Sequence, residues 1–186
     1  MVKETAGEIK VEQLLERVQA DTAFKEELLN NPKAALSKEG AKIPEGLDIK
    51  VLEETANNHY IVLPSRNDMT TDEYEEMSKQ LAQAEDGISR LMGRAMQDEA
   101  FKQELLSNTK AVLEKELGDK MPENLEVKAL EQTGNTRYIV LPMNTESEEL
   151  SDAELEAVAG GINWGNVWNT AKPYVKKGLT WLGNSL

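Results

Sequence analysis

The chain has 186 residues, a net charge of −13, one histidine and no cysteine. Without cysteine there is no disulfide framework, thiolate metal site, cysteine nucleophile or thioether ring drawn from cysteine. With His59 alone, a multi-histidine zinc site or a His-based triad lacks partners. The opening residues Met1 to Glu8 hold no apolar run, so no secretory signal peptide is expected there. No stretch reaches the roughly 18 apolar residues of a membrane span.

In chain order, Leu14, Leu15 and Val18 have helical spacing. Asp21 is placed to cap a second helix carrying Phe24, Leu28 and Leu29. Asn31-Pro32 resets the chain, with Asn31 as cap and Pro32 at a first helical position. After Pro44 the period becomes two, with Leu47, Ile49 and Val51 alternating with Asp48 and Lys50. A polar turn at Ala56-Asn57-Asn58 then leads into Tyr60-Ile61-Val62-Leu63, which reads as the second strand of a hairpin.

The whole arrangement then recurs. Residues 14–39 align with 91–116, and 44–64 with 122–142; 28 of these 47 pairs are identical. Ile88, Leu91, Met92 and Ala95 repeat the first helix, and Asp98, Phe101, Leu105 and Leu106 the second. Leu125, Val127 and Ala129, then Tyr138 to Leu141, repeat the strands. The expected fold class is therefore α+β, with two tandem small helix-helix-β-hairpin units. Copy one is placed at 1–66, a linker at 67–87, copy two at 88–144, a docking helix with its glycines at 145–161, and a short amphipathic helical or disordered tail at 162–186. His59 stands where Arg137 does in the repeat and is expected as a surface residue at a strand end.

The segment Leu150 to Ala159 carries the strongest functional signal. Ser151 with Glu154 fits a capping box, and Leu150, Leu155 and Val158 fall on one broad helix face. Counted back from Gly161 as −1, they stand at −12, −7 and −4. Gly160-Gly161 follows, a bare backbone that suits a narrow protease groove. An apolar face for docking (Leu150, Glu154, Leu155, Val158) followed by Gly160, Gly161 and Ile162 reads as a processing site. A shift of 81 places Met69, Glu73, Tyr74 and Met77 on the same positions, with Lys79 and Gln80 where the glycines stand. Long side chains there would block a glycine-only groove, so the linker reads as a degraded docking helix that is not cut.

Composition changes at the same point. Residues 162–186 contain Lys172, Lys176, Lys177 and no acidic residue, which leaves −16 on residues 1–161. All three tryptophans, Trp164, Trp168 and Trp181, lie in this tail. Helical spacing of its apolar residues, with lysines mostly on the other side, is the pattern of an interfacial membrane-active peptide. Pro173 is expected to kink it.

Ala100-Phe101-Lys102-Gln103-Glu104-Leu105-Leu106, Pro122 to Val127, Tyr138-Ile139-Val140-Leu141-Pro142 and Leu150 through Gly161 together resemble the nitrile-hydratase-like leader peptides of bacterial ribosomal peptide natural products. The resemblance implies that residues 1–161 are a leader and that a papain-like cysteine peptidase domain on an ABC transporter cuts after Gly161. The related hydratase binds metal through a cysteine cluster, so the resemblance carries over no cofactor and no metal site, and the chain is expected not to be an enzyme. Two leader copies depart from the usual single one. The expected function is the precursor of a secreted, cationic, Trp-rich antimicrobial peptide of bacteriocin type. A proteusin-like core rebuilt by modifying enzymes and a non-toxic signalling peptide are the alternatives. The precursor is expected in the cytoplasm, the released core outside the cell on a bacterial membrane, and no nucleic-acid partner is implied.

Overall fold

The computed structural model describes residues 11–142 except residue 56. In chain order the described elements are α1 (Val11–Ala20), α2 (Thr22–Asn30), α3 (Pro32–Lys38), β1 (Asp48–Glu53), β2 (Asn58–Leu63), α4 (Thr71–Ala82), α5 (Gly87–Gln97), α6 (Glu99–Ser107), α7 (Thr109–Leu117), β3 (Glu126–Glu131) and β4 (Thr136–Leu141). The class is α+β.

Each copy begins with three helices where the sequence reading expected two. Asp21 Oδ1 accepts from the Phe24 amide at 3.0 Å, and Asp98 Oδ1 accepts from Phe101 at the same distance. Both caps satisfy a first-turn amide that has no partner within the helix. Asn31 does more than reset the chain: its side chain caps Ala34 and Pro32 opens a separate α3. In copy two Thr109 replaces that proline. Its hydroxyl donates to the Leu105 carbonyl and accepts from the Ala129 amide, both at 2.9 Å, tying the α6–α7 junction to β3. Gly118 ends α7 at φ +83°, where a side chain would be strained.

The ion pairs within the copies repeat as the sequence does. Arg17 reaches Glu39 at 2.5 Å and stacks over Phe24; Arg94 reaches Glu116 at 2.9 Å and stacks over Phe101. Lys25 pairs with Glu53 across α2 and β1, and Lys102 pairs with Glu131 across α6 and β3. Helices and first strand thus form one block in each copy.

The second strands do not join their own block, and the expected hairpins are absent. β1 pairs in parallel with β4, Asp48 opposite Thr136 through Glu53 opposite Leu141. β2 pairs in parallel with β3, Asn58 opposite Glu126 through Leu63 opposite Glu131. Only the single antiparallel bridges Thr55–Asn58 and Thr133–Thr136 remain at the turns. The cause is core size. A unit of little more than 50 residues with one two-stranded hairpin has a marginal core. Exchange lets each sheet draw a strand from both copies. One core holds Leu14, Val18, Phe24, Leu28, Leu36 and Ile49 with Ile139 and Leu141 from copy two. The other holds Leu91, Phe101, Leu105, Leu113 and Val127 with Ile61 and Leu63 from copy one.

Because Leu141 is only 1% exposed inside a core built mainly from copy one, Leu141→Ala should cost about 2–5 kcal/mol. Urea unfolding should register this in the helices of copy one as well as copy two. A loss confined to residues 88–142 in site-resolved amide exchange would contradict the exchanged pairing.

Candidate functional site

The processing residues named from sequence lie outside the described residues. These are Leu150, Glu154, Leu155 and Val158 for docking and Gly160, Gly161 and Ile162 for cutting. Trp164, Trp168, Lys172, Lys176, Lys177 and Trp181 of the tail lie outside them too. Their counterpart in copy one is described, and it is a well-formed helix.

That helix is α4. The Thr70 hydroxyl accepts from the Glu73 amide at 3.3 Å, and the Glu73 carboxylate accepts from the Thr70 amide at 3.0 Å. This is the capping box that Ser151 and Glu154 spell in the other copy. Tyr74, Met77, Ser78 and Leu81 form one buried stripe, while Lys79 and Gln80 are exposed. Burial pushes the Tyr74 phenol above its usual range, with opposing contributions from Lys102 and Glu131. Arg66 lies over the Tyr74 ring at 5.5 Å.

The stripe packs along α5, where Met92, Gly93 and Met96 are buried. Gly93 permits the close approach. A Cβ at that position would fall 2.3 Å from the Ala82 amide nitrogen, which is backbone and cannot move aside cheaply. Gln97 donates to the Ser78 hydroxyl at 3.3 Å at the end of the contact. The copy-one residues equivalent to positions −7 and −4 are therefore sequestered in a core, and no face of that kind is open for a partner on α4. Gly93→Ala should destabilise the α4–α5 contact by about 1–3 kcal/mol through overpacking. Thermal unfolding unchanged to within a degree would show that the helices separate freely.

One polar position departs from its expected place. His59 is buried, 5% exposed, beside Glu54 at 3.5 Å, and is no surface strand end. Its equivalent Arg137 is buried as well, donating to the carbonyls of Thr133 and Thr136 and to the Asp68 carboxylate. The Arg137–Asp68 pair joins β4 of copy two to the turn after β2 of copy one. Burial pushes the Asp68 carboxyl up and Arg137 draws it down, the first being the larger effect. Strand alternation within a hairpin could not place Arg137, because its carboxylate partner Asp68 follows β2 rather than β3, whereas His59 lies beside Glu54 of its own copy. Asp68→Ala should cost about 3 kcal/mol, since it strands a buried guanidinium. Chemical denaturation checks this, and a loss below half that figure would make the pair a solvated one.

A cleft of about 540 Å³ lies between the α6–α7 junction and β3, lined by Leu106, Asn108, Lys110, Val127 and Leu130 among others. Of its two ammonium groups, that of Lys110 is taken up by the carbonyls of Pro122, Glu123 and Leu125, and that of Lys128 pairs with Glu126 at 3.4 Å.

With this geometry in place, the chain can be compared with known proteins. Residues 17–89 match the family model for nitrile hydratase, alpha chain. Among solved structures, the chain is similar to two double-histidine mutants of the Fe-type nitrile hydratase from Comamonas testosteroni Ni1. One is 22% identical with a TM-score of 0.45, over 79% of this chain and 64% of that one. The other is 21% identical with a TM-score of 0.48, over 84% and 69%. A thiocyanate hydrolase mutant follows at 16% identity and a TM-score of 0.43, over 78% and 65%. The chain thus spans 64% of the length of the first of these relatives. No curated protein matches it.

These matches correct the expectation that the chain is not an enzyme: its likeness is to the alpha chain of nitrile hydratase, an enzyme subunit. The chain has no cysteine, its one histidine lies buried beside Glu54, and no three His, Cys, Asp or Glu residues cluster as metal ligands among the described residues.

Proposed function

We propose that the chain is a peptide precursor, in which residues 1–161 serve as an acidic leader on an alpha-chain-like scaffold and residues 162–186 are the released core. The observation that carries this reading is Gly160-Gly161 directly behind a capping-box segment with apolar residues at −4, −7 and −12. The change from −16 to +3 at the same residue supports it, as does the confinement of all three tryptophans to the tail. The geometry of α4 adds a reason why one cut suffices. In copy one Tyr74 and Met77, the counterparts of Leu155 and Val158, are packed on α5, and Lys79 and Gln80 fill the glycine places.

In this reading the partner is the peptidase domain of an exporting ABC transporter, and the released core acts on an anionic membrane. Three lysines near such a surface contribute roughly 1 kcal/mol each, and the tryptophans add apolar burial. The leader's −16 opposes approach of the uncut chain to the same surface. Incubation of the full chain with a double-glycine peptidase domain should release a 25-residue fragment beginning at Ile162, read by mass spectrometry. Gly161→Val should abolish release by filling the groove. Leu155→Ala should raise KM about tenfold or more through lost apolar contact worth roughly 1.5–3 kcal/mol. A cut after Gln80, or none after Gly161, would sink the proposal.

A further inference from the structure

The clasp between the two copies is symmetric down to single hydrogen bonds. A shift of 78 residues carries copy one onto copy two in this region, and it turns the pair Asp48–Thr136 into the pair Glu126–Asn58 with the roles reversed. The Asp48 amide donates to the Asn135 carbonyl at 2.7 Å, and its counterpart Glu126 donates to Asn57 at 2.6 Å. At the other end Glu54 donates to Leu141 at 2.9 Å, and Gln132 donates to Leu63 at 3.0 Å. Each patch gives what it takes, which is the arrangement of a twofold dimer interface. Here one short connection joins the two partners. It is the seven residues 64–70, folded around a single 3-10 turn at Arg66–Asp68.

We propose that this clasp also forms between chains. Copy one of one chain takes copy two of another, and reciprocally, giving a strand-exchanged dimer with residues 64–70 as its hinge. The dimer is independent of whether the chain is cut after Gly161.

Every strand contact of the single chain is kept in such a dimer, so the hinge and the chain concentration decide between the two forms. A short connection holds its ends at an effective concentration on the order of millimolar. Closed single chains therefore prevail in dilute solution, and exchanged pairs gain as chains are crowded or as the hinge is kept from folding back. In the closed form the hinge is tightly folded. Ser65 is buried, its hydroxyl accepts from the Asn67 amide at 3.2 Å, and its carbonyl accepts from the Asp68 amide at 3.2 Å. Extended, seven residues reach about 23 Å, which lets copy one leave its own copy two. Chain order favours the exchange as well. β1 ends at Glu53 and β4 begins at Thr136, so copy one waits several seconds for its strand at about 5–20 residues synthesised per second.

Two side-chain contacts direct copy one to copy two in preference to a second copy one. Asp68 pairs with Arg137, and Asn124 Nδ2 donates to Asn57 Oδ1 at 3.1 Å. Between two first copies, the shift puts His59 in the place of Arg137 and Gly46 in the place of Asn124. The permanent cation and the amide are then both lost, and like-with-like pairing is disfavoured.

The absence of native cysteine makes a cross-linking test clean. Lys50 stands opposite Tyr138, its ammonium 5.8 Å from the ring centroid. Neighbouring strands lie about 4.7–4.9 Å apart, within the span of a disulfide. Full-length Lys50→Cys with Tyr138→Cys should close within one chain when refolded at about 5 µM, far below the effective concentration of the tethered copies. Chains with Lys50→Cys and chains with Tyr138→Cys, refolded together at about 0.5 mM, should give about tenfold more covalent dimer than at about 5 µM. Removal of Arg66 and Asn67, which shortens the hinge, should make the dimer the main species at the lower concentration, read by light scattering. No covalent dimer at either concentration, with the double variant closing internally, would overturn the proposal, as would failure of the double variant to close. A shortened chain that stays monomeric would remove residues 64–70 as the hinge. Equal cross-linking of Lys50→Cys to Tyr60→Cys would show first copies pairing with each other. Equal cross-linking of Lys50→Cys to Lys128→Cys would show random contact, and either result defeats the directed exchange.

Discussion

The exchange of second strands between the two copies is the constraint on which the described structure depends. Parallel pairing of β1 with β4 and of β2 with β3 makes each core a joint product of residues far apart in the chain. Parallel strands require a long connection, and the whole of α4 to α7 supplies it between β2 and β3. Small units gain from the exchange because each sheet then has a helical block on one side and strands from both copies. The same exchange places α4 on the far block, where it becomes structural.

In the linker, Tyr74, Met77 and Leu81 are large enough to fill a core and Gly93 opposite them lets the helices touch. In the later segment the counterparts of Tyr74 and Met77 are the smaller Leu155 and Val158, and Gly160-Gly161 stand where Lys79 and Gln80 do. The Arg137–Asp68 pair, spanning the copies, fastens β4 to the turn that leads into α4.

Likeness to nitrile hydratase concerns the scaffold. The family match covers residues 17–89, a stretch that runs from α1 of copy one to the opening of α5 in copy two. The chain has no cysteine, and its one histidine, His59, is buried.

The sequence by itself determined the first two helices of each copy, their Asp21 and Asp98 caps, the strand positions and the duplication, because each is written in the residues along the chain. It also displayed the glycine pair, the charge step and the tail, which are linear features. It did not determine which strands pair. Tyr60 to Pro64 and Tyr138 to Pro142 are identical, so either strand satisfies either partner, and alternation alone cannot distinguish a hairpin from an exchange. The contact of Arg137 with Asp68 was hidden for the same reason. Only the tertiary structure decided these points, because the choice turns on the apolar area two cores can bury together, a quantity no local pattern contains.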